Sequence, residues 1–131
     1  MVPKPRGQSA VEFALLVVVT LVLFLGMTQV GLYLYGLSVV ENAARSGARA
    51  GSVAQTCPAC QAAASARAAL SGAPAVSRPA VAILAPGGVV GSTLRIRVTA
   101  HIPVIVPGGA LLGLSRLLDV SAEATFRQEG W

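Results

Sequence analysis

Between Glu12 and Glu41 the chain carries no formally charged side chain, a run of 28 residues from Phe13 to Val40. At about 1.5 Å per helical residue this run is roughly 42 Å long, more than the ~30 Å hydrocarbon core of a bilayer, and it predicts a membrane-spanning helix. An ionisable group at the edge of such a segment is costly without a partner, which makes Glu12 a candidate functional residue. Upstream, Pro3 and Pro5 exclude a helix from residues 1–7, a short basic leader containing Lys4 and Arg6. Ser9 is the expected N-cap, and Glu12 three residues later has the spacing of a capping box, a purely structural use of that carboxylate.

Glu41, Arg45 and Arg49 then recur every four residues, and Ala43, Ala44, Ala48 and Ala50 favour helix, so the rod is expected to leave the membrane and stop near Gly51. That is about 43 residues and roughly 65 Å. Gly26, Gly31 and Gly36 fit either close packing against another helix or local melting, and the sequence does not choose between these.

After a break at Cys57-Pro58 a short Ala-rich helix is expected over about 59–70, closed by Ser71-Gly72 and followed by a linker over 72–79. The periodicity then changes from helical to alternating. Leu94, Ile96, Val98, Ala100 and Ile102 alternate with Arg95, Arg97, Thr99 and His101, and Val120, Ala122, Ala124 and Phe126 alternate with Asp119, Ser121, Glu123, Thr125 and Arg127. With the apolar run 80–84, these patterns predict a three-stranded antiparallel sheet with strands near 80–84, 93–102 and 118–127. The polar faces place Arg95 and Arg97 against Asp119 and Glu123, giving cross-strand ion pairs. The apolar faces need a lid, and the outer half of the long helix with the 59–70 helix can supply it. The expected fold class is α+β, divided into a leader (1–7), a transmembrane and stalk helix (8–51) and a small domain (52–131). The connection 103–114 holds Val104-Ile105-Val106 and Leu111-Leu112-Gly113-Leu114, too apolar for a free loop. It either contacts a partner or a membrane, or folds back over the sheet end.

Composition narrows the function classes. Of 131 residues, 54% are hydrophobic and 11% charged, leaving at most one small domain outside the apolar segment. The net charge of +5 comes from ten Lys and Arg scattered along the chain, with no concentrated patch of the kind phosphate binding requires, so nucleic acid is not an expected partner. A cleaved secretory signal fits poorly, because its apolar region runs about 7–15 residues and ends in small residues. Lys4 and Arg6 before the span nearly balance Arg45 and Arg49 after it, and only the short leader argues for an N-terminus inside.

Catalytic chemistry finds little support. Cys57-Pro58-Ala59-Cys60 could be a redox pair at a helix start, but such motifs normally follow a strand, and outside the cytoplasm a short disulfide fixing the turn is the plainer reading. His101 alternates onto a polar strand face, and two thiols with one distant His do not make a four-ligand zinc site. Gly87-Gly88 and Gly108-Gly109 lack a following Lys-Ser/Thr and read as turns. No catalytic residue, metal site, cofactor or small-molecule substrate is expected.

Arg6-Gly7-Gln8-Ser9-Ala10-Val11-Glu12-Phe13 resembles the processing motif of the TadE-like pseudopilins (minor pilins) of the tight-adherence (Tad) pilus system. Asn42-Ala43-Ala44-Arg45-Ser46-Gly47-Ala48-Arg49 resembles the stretch after their membrane helix, and the C-terminal pair of strands around an apolar loop is similar as well. The resemblance implies cleavage by a prepilin peptidase between Gly7 and Gln8, with assembly and recognition at Glu12 and Phe13. It implies other pilins or pseudopilins, the pilus assembly platform and membrane lipid as partners. It also implies a bacterial inner-membrane protein with a cytoplasmic N-terminus and a role in adhesion. Loss of Lys4 and Arg6 would lower the net charge from +5 to +3. The alternative is a single-pass envelope protein with a small ectodomain and no filament role.

Overall fold

The computed structural model of the protein describes residues 7–106, 113 and 118–129. It is α+β, with the order α1 (Gln8–Ser52), α2 (Pro58–Ser71), β1 (Ser77–Pro86), β2 (Thr93–His101) and β3 (Asp119–Arg127). The 45 residues of α1 make a rod of about 68 Å. It starts one residue before the expected cap. Gly7 is the N-cap, its carbonyl accepts from Val11 N–H at 3.3 Å, and no side chain caps the first turn. The Ser9–Glu12 capping box is therefore not formed, because both residues already lie inside the helix.

The three strands form one antiparallel sheet in the order β1-β2-β3. Every apolar position of β2 is buried: Leu94, Ile96, Val98 and Ala100, with Ile102 just beyond the strand. In β3, Val120 and Ala124 are buried and Ala122 is half-buried, whereas Phe126 is 40% exposed at the end of the strand. Phe126, paired with Leu94, keeps the helix-facing side that the alternation predicts but lies at its rim, bordering a groove with Arg45, Arg49 and Val53 of the α1 end. β1 begins at Ser77, so the expected linker 72–79 is shorter and Pro79 and Pro86 lie within the strand. An edge strand accepts both, since proline only removes donors that an outer edge leaves unpaired.

The outer half of α1 is the lid. Gly36, Val40, Ala43, Ala44, Gly47, Ala48, Gly51 and Ser52 form a buried seam with a spacing close to the helical repeat. α2 covers the β1 side and crosses α1 through small residues. A Cβ at Gly47 would lie 2.8 Å from the Ala62 carbonyl oxygen and 2.9 Å from Ala66 Cβ, so only glycine permits this approach. At Gly36 the neighbour is not another helix but the end of the Ile102 side chain, which packs over the glycine from just beyond β2. Gly26 and Gly31 meet nothing within 4 Å.

On the outer face the register pairs Arg97 with Glu123 and His101 with Asp119. Arg97 Nε donates to Glu123 Oε1 at 2.6 Å, the expected ion pair. Asp119 instead sits 2.7 Å from His101 Nδ1, and Arg95 Nε reaches Thr125 Oγ1 at 3.3 Å. The expected Arg–Asp119 pair is corrected by a register that places Arg95 at the far end of the strand.

Candidate assembly interface

From Gln8 to Phe24, α1 has no partner among the described residues. Its most apolar 18-residue window has a mean hydropathy of 2.6 and is entirely unburied. From Gln8 to Phe24 every residue is exposed, Phe13 by 69%. Such a surface is stable only against lipid or other apolar helices. Glu12 is the one carboxylate on it. Gln8 Nε2, on the preceding turn, donates to Glu12 Oε1 at 3.5 Å, and no cation among the described residues lies within ion-pair distance of it. Gln8, Glu12 and Phe13 thus share one exposed end of the helix, with Gly7 as its cap.

At the other end of α1 the chain turns a tight corner. Cys57 caps α2 with φ 49°, Pro58 takes the first helical position, and the Cys57 carbonyl accepts from Cys60 N–H at 3.0 Å and Gln61 N–H at 3.2 Å. The Cys57 and Cys60 sulfurs are joined, with Cα atoms 5.3 Å apart. The end of β3 is tied to the same corner: Glu129 N–H donates to the Ser52 carbonyl at 3.2 Å and Gln128 Nε2 to the Ala54 carbonyl at 3.1 Å. This cluster holds the stalk to the sheet. Buried Gln128 was invisible in the sequence, because it stands one residue past the alternation.

Gln29 is the second residue that pattern reading passed over. It lies in the middle of the uncharged run, yet its Nε2 donates to the Pro103 carbonyl at 3.2 Å and its Oε1 accepts from Ile105 N–H at 2.8 Å. The described part of the apolar connection, residues 103–106, therefore lies along α1. Of the remainder of 103–114, only Gly113 is among the described residues. A polar amide inside an apolar stretch, with no basic or acidic companion, was the available signal for Gln29.

No curated protein and no solved structure matches the chain. Residues 7–49, from the N-cap of α1 through the seam that covers the sheet, match the family model described as TadE-like protein, so the long helix bearing Glu12 is similar to that family throughout its bare half and most of its packed half.

Proposed function

We propose that the chain is a minor pilin or pseudopilin of a Tad/Flp-type pilus, anchored by a single span in the bacterial inner membrane with its N-terminus cytoplasmic and its α+β part outside. Its contribution is structural. A prepilin peptidase cuts between Gly7 and Gln8, and the new amine on Gln8 becomes the cationic partner for Glu12 of an adjacent pilin. The carboxylate lies about 6 Å along the axis from that amine, so two helices staggered by about one turn bring one subunit's amine to the other's Glu12. Either charge buried alone costs several kcal/mol, and pairing offsets much of this, which makes the contact a register mark.

The observation that carries the reading is the exposed Glu12 on a bare apolar helix end, within the segment similar to the TadE-like family. With the capping box absent, the side-chain contact of the carboxylate in its own helix start is the long 3.5 Å hydrogen bond from Gln8 Nε2. Phe13 beside it offers an exposed aromatic ring to the same neighbour. The Cys57–Cys60 bond, at the corner after α1, serves as a staple rather than a redox centre.

Co-expression with a prepilin peptidase, followed by intact-mass measurement, tests the proposal. The expected product begins at Gln8 and has lost residues 1–7. An intact N-terminus, with the protein recovered as isolated monomers, would mean a simple anchored envelope protein without a filament role.

A further inference from the structure

The exposed surface of α1 changes character at one level. Every residue from Gln8 to Phe24 is exposed, Leu25 and Gly26 are half-buried, and at Gln29 another part of the chain crosses the helix. The crossing segment, Pro103-Val104-Ile105-Val106, has no polar side chain, and Ile105 is 39% exposed. Irregular backbone is excluded from lipid unless its polar groups are satisfied. The Gln29 amide satisfies two of them, the Pro103 carbonyl and the Ile105 N–H. The level is also set by length. Counted from Phe13, the first residue past Glu12, one hydrocarbon thickness of about 30 Å ends near Tyr33, one turn beyond Gln29. The exposed Tyr35 follows within two turns, where aromatic residues with a polar tip mark the headgroup region.

We propose that Pro103–Val106 is seated in the outer boundary of the bilayer that α1 crosses, with Gln29 as its tie, so that the folded part rests on the membrane instead of standing off on a free stalk. The occupant of this surface is lipid, because the apolar segment lies at the end of the bare apolar face of α1, where the exposed Thr28 hydroxyl is satisfied by the Phe24 carbonyl at 2.9 Å and the Gln29 amide by the segment itself. The inference rests on the reading of the inner half of α1 as membrane-embedded, and the test separates the two.

Full-length protein with Trp131→Phe is reconstituted in phosphatidylcholine vesicles containing brominated acyl chains, carrying a single tryptophan as Phe24→Trp, Ile105→Trp or Leu84→Trp. Leu84 lies exposed on β1 and serves as the water-facing reference. Emission at positions 24 and 105 is expected to fall to a comparable extent in the brominated vesicles, with position 84 unchanged. Quenching at 24 but not at 105 would overturn the seated connection and leave the spanning helix standing. Quenching at neither would overturn both. Shielding of 105 from bromine and from aqueous iodide alike would mean that protein covers it, which also overturns the inference. In a Gln29→Leu background the quenching at 105 is expected to drop while that at 24 persists. Unchanged quenching at 105 would remove Gln29 from its role as the tie.

Discussion

At Gly51 a methyl group would sit 2.8 Å from the Pro58 carbonyl oxygen and 2.9 Å from Ala62 Cβ, and would also meet Leu94. Backbone on the far side cannot yield, so Gly51→Ala is expected to cost about 1–3 kcal/mol by overpacking, read as a lower melting temperature in detergent. Gly72→Ala is the control, since nothing lies within 4 Å of it and its φ is −95°; its change should stay within about 0.5 kcal/mol. Glu12 presents the opposite case, an exposed residue whose removal should leave the fold intact. Glu12→Ala is expected to preserve both melting temperature and leader removal, yet to abolish co-purification with the partner pilin. Normal co-purification of that variant would disprove the charge pairing. The sequence marked Glu12 because a charge at the edge of an apolar run is conspicuous. It could not mark Gly51 as a packing residue, because nothing local distinguishes a glycine pressed against a carbonyl from one that ends a helix.

Among the elements, β2 and β3 were legible nearly to the residue, since one covered face forces strict alternation over nine positions in each. β1 was legible only in its middle, because prolines that read as boundaries are tolerated on an edge strand. The two halves of α1 read as one apolar helix, and the point where its packing begins depends on what the sheet and the connection after β2 bring against it. The α1–α2 corner is closed by the bond between Cys57 and Cys60. In the chain-entropy picture a loop this short contributes ~2 kcal/mol, so the Cys57→Ser, Cys60→Ser double variant should lose about that much stability, read as a lower urea midpoint. An unchanged midpoint would mean that the hydrogen bonds from Gln128 and Glu129 hold the corner unaided.

For the molecule as a whole, the packed core and the bare apolar stretch of α1 lie in different places. Among the described residues every buried hydrophobic one lies at Val40 or later, and the partly buried ones packed against them begin at Leu32, so the inner half of α1 adds nothing to this core. A chain beginning at Gly26 is accordingly expected to retain a cooperative thermal transition by circular dichroism, at close to the full-length melting temperature. Loss of that transition would show that the bare half stabilises the fold. Hydrophobic patterning by itself determined the long helix, the α+β class, the antiparallel pairing and the isolation of Glu12, because each follows from periodicity or charge along the chain. Only the tertiary structure decided the glycine-lined crossing of α1 and α2, the exposure of Phe126 and the Gln29 tie to the connection after β2. Those depend on residues tens of positions apart meeting in space, and no local period encodes such a meeting.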